Sequence, residues 1–423
     1  MYKRQREAND SGKCGKTLAK LERLDDPFET PSLQQIGHGL CSIVLKAPCR
    51  ATAVVDAGGV ENVLCLKQVD VDVQNAPHHV QHEVSLLSRL RHKNLVLLLA
   101  AFTEMPDAFT TVYNLAMPLY PVKLTDVMDD IRMRPSSLSL REVEAPETPS
   151  WLNVLGSHTY ASLTLSVAEQ LCETLLYLHN EGVAHRDIKP SNILFGTDGR
   201  IRLIDFGVAW EAGMYEAPPF GTHPSMMGST DRARISDVGT GAFRAPELLF
   251  APQDGYDAFA ADMWSLGTVL ASFFTDLVQE EDPLGARAEV ASWELEMFPD
   301  LPPALPRVRL PTYERLTLFD SSRGDIALAA DIFKVLGLPS DTSVWPEAAR
   351  FQPPLAEFPF LHGPAKETLE ERLPQLALLA ADASPLAMRL HHFITQWLPK
   401  LVQLSAVARP RASEVLSALQ SCP

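Results

Sequence analysis

Between Leu33 and about Met117 the chain alternates short apolar, β-branched runs with turn residues. The runs SIVLKA, TAVVDA, NVLCLKQV and FTTVYNLA read as strands. One segment breaks the pattern. In HHVQHEVSLLSRL, Val80, Val84, Leu87 and Leu90 recur at spacings of four and three, which predicts a helix with one buried face. Beyond Pro121 the periodicity becomes mainly helical. A short helix is expected in LTDVMDDIRM and a long one in LSVAEQLCETLLYLHN, before two short strands, NILF and IRLIDF, around the turn GTDG. Proline-rich stretches, RPSSLSLREVEAPETPS, PPFGTHPSMMGS and FPDLPPALPRVRLP, read as loops and insertions. The pattern predicts an α+β chain without internal repeats. A disordered tail covers 1–32, a small antiparallel-sheet unit with one helix covers 33–117, and a larger helical unit covers 118–423. Inserts are expected near 132–160, 211–235 and 276–315.

A length of 423 residues suits two or three compact units at roughly 150 residues each. With 53 acidic and 37 basic residues the formal charge is −16, which argues against a nucleic-acid partner and suits partners carrying basic segments. The run KRQR at 3–6 reads as a solvated tip, with a nuclear address as the alternative. Six cysteines, at 14, 41, 49, 65, 172 and 422, include no C-x-x-C pair, so neither a zinc ribbon nor a redox pair is expected. No secretory apolar core occupies the first 30 residues, and no run approaches ~20 apolar residues. The expectation is a cytoplasmic or nuclear protein with reduced thiols and no membrane partner. Cys41 is the candidate reactive thiol, an inert one being the default.

The stretch IGHGLCSIVLKA (36–47) offers G-x-G-x-x-G with Ser42 at the third site, and alone fits a hairpin as well as a phosphate loop. HRDIKPSNILF at 185–195, followed by IDFG at 204–207, is far more specific. These motifs match the signature set of the protein kinases, and the chain resembles a eukaryotic protein kinase over about residues 33–420. The resemblance implies a bilobal fold that uses ATP and Mg2+. It implies that Asp187 orients the acceptor hydroxyl and takes its proton, while Lys189 meets the transferring phosphate. Asn192 and Asp205 would ligate magnesium, Lys67 would bind phosphate, and Glu83 would anchor Lys67. Ile36, Gly37, Gly39, Ser42 and Val44 would cover the nucleotide, with Val44 on the adenine. Tyr113 is placed at the guard of the adenine pocket, and Asn114, Leu115 and Ala116 at the hinge. Glu247 of APE is expected to pair with Arg409, and Asp262 of DMWSLG to brace the HRD turn.

Lysine at 189 is the serine/threonine pattern, and Arg244 before APE resembles the cyclin-dependent and MAP kinase group. The tract RLTLFDSSRGDIALAADIFKVLGLP and TGAFRAPELLF resemble the fungal monomeric CDK-activating kinases. That resemblance implies a monomer that needs no cyclin and acts on the activation-loop threonine of a cyclin-dependent kinase. A loop phosphate is not expected to be required, with Asp231 or Asp237 as a fixed negative charge. Alternatives are another serine/threonine kinase of the same group with a different substrate, or a pseudokinase scaffold. Retention of Lys67, Asp187 and Asp205 argues against the scaffold.

Overall fold

Strands β1 (Gln34–His38), β2 (Ser42–Pro48), β3 (Val63–Asp70), β4 (Ala100–Glu104) and β5 (Val112–Pro118) build one antiparallel sheet, ordered β1-β2-β3-β5-β4. The computed structural model describes residues 33–214, 235–279 and 312–421, apart from positions 40, 50–52, 146–147, 251, 253, 342, 352, 359 and 361. The expected tail over 1–32, with KRQR and Cys14, lies outside the described residues, as do Asp231, Cys422 and most of the inserts at 211–235 and 276–315. In register, Lys67 faces Val44 on one side and Leu115 on the other. Side chains alternate along a strand, so Cys65 and Lys67 share one face of the sheet with Leu115 and Met117 opposite them.

Two helices accompany this sheet where one was expected. TAVVDA, read as a strand, contains the single-turn helix α1 (Ala53–Asp56). Its β-branched residues suggest a strand, but burial decides otherwise: Val54 fills a small core with Ala47, Cys49, Leu64, Leu66, Leu99, Ala100 and Ala116. Helix α2 (Val80–Arg89) buries Val80, Leu86 and Leu87, and also Glu83. His79 caps it, its Nδ1 accepting from the His82 amide at 3.1 Å.

The larger unit is organised around α5 (Tyr160–Asn180), which starts five residues ahead of the expected helix and carries a Thr159/Ser162 capping box. Before it come β6 (Val122–Lys123), α3 (Leu124–Met128) and α4 (Leu152–Leu155). After it come β7 (Val183–Ala184), the hairpin β8 (Ile193–Phe195) and β9 (Ile201–Leu203), and β10 (Trp210–Glu211). Then follow α6 (Pro246–Leu249), α7 (Ala258–Ser272), the ribbon β11 (Leu277–Gln279) and β12 (Tyr313–Arg315), and α8 (Asp325–Leu336). Helices α9 (Leu369–Arg372), α10 (Gln375–Ala381), α11 (Pro385–Leu401) and α12 (Ala412–Ser421) complete the chain. Helix α7 is buried on nearly every side, as its almost unbroken apolar sequence demands. No helix among the described residues is long and apolar enough to cross a membrane.

The stretch expected as an insert near 132–160 is packed onto this unit, burying Met133, Leu140, Trp151, Leu152 and Leu155. Arg315 ties it down. Its guanidinium donates to the carbonyls of Met128 (3.1 Å), Thr275 (2.9 Å) and Met133 (2.6 Å), joining α3, this stretch and the root of the β11–β12 ribbon.

Glu247 and Arg409 form a bidentate pair at 2.6 and 2.7 Å, and both side chains are almost fully buried. Arg409 also donates to the carbonyls of Ala260, Gln403 and Leu404 and lies over the Trp264 ring. Replacing Arg409 by Ala strands a carboxylate in the core. We expect a loss of about 3–5 kcal/mol in unfolding free energy, read from the urea midpoint. Restoring most of that stability with Arg409→Ala/Glu247→Leu identifies the unpaired charge as the cause.

Candidate active site

Lys67 brings the two units together. Its Nζ lies 2.8 and 3.0 Å from the carboxylate oxygens of Glu83 and 2.8 Å from Oδ1 of Asp205. Three ammonium protons thus meet three acceptors. Burial works against the Lys67 charge, but the Asp205 and Glu83 carboxylates outweigh it and hold the group above the ordinary lysine range. The same ammonium, against the cost of burial, holds Asp205 far below the usual carboxylate range. Burial pushes Glu83 the other way, opposed by Lys67. Helix α2 is set in place by the His79 amide, which donates to the carbonyl of Gly207 at 3.0 Å.

Asp262, fully buried on α7, shapes the HRD turn. Its carboxylate accepts from the amides of His185 (2.9 Å) and Arg186 (2.8 Å) and lies 3.1 Å from Nε2 of His179. These bonds hold Arg186 at φ 65°, while Asp205 stands at φ 66°. Left-handed non-glycine residues cost about 1–3 kcal/mol each and persist where surrounding bonds over-determine them.

Asp187 lies at the centre of a polar cluster. Lys189 Nζ is 2.9 Å from Asp187 Oδ2 and donates to Thr240 Oγ1 at 2.6 Å. The Thr240 hydroxyl in turn donates to Asp187 Oδ1 at 2.7 Å. Asn192 Nδ2 donates to the Asp187 carbonyl (2.8 Å) and to its Oδ2 (3.0 Å). Asn192 and Asp205 flank the β8–β9 hairpin, and the Ile204 amide donates to the Asn192 carbonyl at 3.0 Å. One amide and one carboxylate suit magnesium, which leaves most of its octahedron to phosphate and water.

Ile36, Gly37, Gly39, Ser42 and Val44 lie together on the β1–β2 hairpin. The Gly39 amide donates to the Ser42 carbonyl at 2.8 Å. A Cβ at Gly39 would fall 2.8 Å from the Ser42 hydroxyl, so the serine at the third site uses the room that the second glycine leaves. Burial raises the thiol pKa of Cys41, and pushes that of Cys65 up to about 11, which disfavours a reactive thiolate at either.

The expected hinge is displaced. Tyr113, Asn114, Leu115 and Ala116 lie inside β5, each paired with both β3 and β4, so none of them connects the lobes. The strand ends at Pro118, and the connection runs from there to β6 at Val122. Met117, one residue before the strand's end, is buried opposite Cys65. VYNLAMP is one unbroken strand, and the proline-bounded PLYP after it was the available signal.

A family model described as the protein kinase domain matches residues 31–290, more than half of the chain. The chain is 29% identical over 245 residues to the CTD kinase subunit alpha of Schizosaccharomyces pombe, covering 57% of this chain and 32% of that protein. It is 28% identical over 244 residues to cyclin-dependent kinase F-3 of Oryza sativa, covering 57% and 43% respectively. With the serine/threonine-protein kinase par-4 of Caenorhabditis elegans the identity is 27% over 213 residues, or 50% and 28% of the two chains. The match therefore spans less than half the length of each of these curated relatives. The chain belongs to the protein kinase domain family, and its domain is of the ATP- and magnesium-using serine/threonine class related to the cyclin-dependent kinases.

Proposed function

We propose that the whole protein is an active serine/threonine kinase whose acceptor is the activation-loop threonine of a cyclin-dependent kinase, and that it works as a monomer without a cyclin. One observation carries the catalytic part. The Lys67 ammonium is shared between Glu83 and Asp205, and the Asp187 carboxylate is bonded to both Lys189 and Thr240. In this reading Asp187 receives the acceptor proton, Lys189 and Lys67 offset charge on the transferred group, and the hairpin β1–β2 covers the nucleotide. Magnesium held at Asn192 and Asp205 would neutralise phosphate charge.

The substrate claim is supported by the two stretches that resemble CDK-activating kinases, because they pack against each other. Asp325 pairs with Arg244 at 2.6 Å, and a Cβ at Gly241 would lie 2.9 Å from the Ser321 hydroxyl. Independence from a loop phosphate is supported at Arg186. Its buried guanidinium donates to the Val208 carbonyl (2.7 Å) and to the Tyr256 hydroxyl (3.2 Å), which donates to the Ile235 carbonyl at 2.9 Å. A cytoplasmic or nuclear location follows from such a substrate.

The test is transfer from labelled ATP to an unphosphorylated cyclin-dependent kinase, free and cyclin-bound. Label on its activation-loop threonine is the expected result. Label confined to a generic basic protein would discard this substrate while leaving the kinase.

A further inference from the structure

The β8–β9 hairpin starts directly after Asn192 and ends two residues before Asp205. Its turn is gripped by the opposite lobe. The Thr197 amide donates to the carbonyl of Gly58 at 2.8 Å. Arg202, on β9 and almost fully buried, donates through Nη2 to the Ala57 carbonyl at 3.0 Å and to Asp198 Oδ2 at 2.8 Å. Its guanidinium also lies 5.4 Å from the centre of the Tyr120 ring, in the connection between the lobes. On the other side, the Val60 amide donates to the Leu119 carbonyl of that connection at 2.9 Å. Residues 57–60 thus touch the connection and the far hairpin at once, and β3, which carries Lys67, begins three residues later.

The approach is close enough to require glycine. Gly58 has φ +75°, and a Cβ there would fall 2.6 Å from Arg202 Nη2. Gly196 in the turn is constrained by space alone, since a Cβ there would fall 2.8 Å from the Gly58 carbonyl oxygen.

We propose that residues 53–60 form a strap across the lobe connection, and that Arg202 is a positioning residue. Through the strap it fixes the Lys67-bearing sheet relative to the hairpin that presents Asn192 and Asp205. Phosphoryl transfer depends on placing these groups together, and hinge connections are where lobes move relative to one another. A connection bonded to both lobes along its back has less freedom to bend. The effect on catalysis rests on the kinase reading; the strap itself does not.

The test uses the full chain with Arg202→Met, which keeps the aliphatic stem but no donors, and Gly58→Ala, which strains the strap at its left-handed residue and crowds the Arg202 Nη2. Both are expected to lower kcat/KM for ATP about tenfold, since displacements of this kind disturb the alignment of reacting groups. Amide exchange should accelerate at Thr197 and Val60 while the α5 and α7 amides stay protected. Arg202→Lys, with one ammonium to share, should fall between these variants and wild type. Unchanged kcat/KM with Thr197 exchange released would overturn the proposal. Exchange accelerated throughout the large lobe would do the same, by reducing Arg202 to a general stability role. If Arg202→Met fails to fold, Gly58→Ala and Arg202→Lys carry the same readouts. A wild-type chain that transfers no phosphate overturns only the kinase reading. Magnesium–ADP affinity by calorimetry then replaces kcat/KM: an unchanged value in the variants overturns the strap, and a weakened one supports it.

Discussion

Replacing Asp187 by Asn is expected to lower kcat by about 10²–10⁴-fold, with little change in magnesium–ATP affinity. The substitution keeps the size of the side chain and an oxygen able to accept from Thr240, while its amide nitrogen replaces the Oδ2 that accepts from Asn192 and faces Lys189. What disappears is the carboxylate that takes the acceptor proton in the proposed mechanism, and the charge that faces Lys189 at 2.9 Å. Steady-state rates with saturating ATP, alongside nucleotide binding by calorimetry, separate the two effects. Turnover close to wild type would remove Asp187 from the chemistry and leave the polar cluster as structure.

Lys67→Met should act on both activity and stability. Glu83 is 2% exposed, and its carboxylate has Lys67 as its ionic partner. Without the ammonium it must either stay charged in a dry site or take up a proton. Breaking such a pair typically costs about 3–5 kcal/mol. Catalysis should fall by about 10²–10³-fold or more, the scale for removing one preorganised charge-stabilising group. The double variant Lys67→Met/Glu83→Gln distinguishes the two losses. Unfolding in urea should show much of the stability restored, because a neutral amide replaces the orphaned carboxylate, while activity stays lost. Recovery of activity with stability would mean that Lys67 serves only to hold α2.

The candidate site was legible through the resemblance, where its motifs have fixed short spacings. Asp187, Lys189 and Asn192 fall within one loop, and Asp205 follows a two-stranded hairpin, so sequence distance nearly determines spatial arrangement. Lys67 and Glu83 were legible only through the resemblance, from their order ahead of HRD, since a strand lysine and a helix glutamate by themselves read as surface residues; only the fold brings them within 3 Å. The connection between the lobes was not legible in the same way. Apolar residues run without a break through β5 into Met117, and periodicity gives no sign of where a fully paired strand stops. Helix α1 was misread for a related reason. Val54 and Val55 favour a strand by type, but the two glycines after Ala57 turn the chain and the small core takes Val54. Arg202 gave no sequence signal, since an arginine in a short strand reads as solvent-facing. Its burial follows from Gly58 and Gly196, which let two backbones approach across the lobes.

Phosphoryl transfer by this domain is tested most simply in a single-turnover reaction of the purified chain with magnesium and γ-labelled ATP, followed by identification of the phosphorylated residue type. Label on serine or threonine of a protein acceptor, lost in Asp187→Asn while nucleotide binding persists, is the expected result. Tight magnesium–ATP binding with no label on any protein acceptor would contradict it and make the domain a nucleotide-binding scaffold.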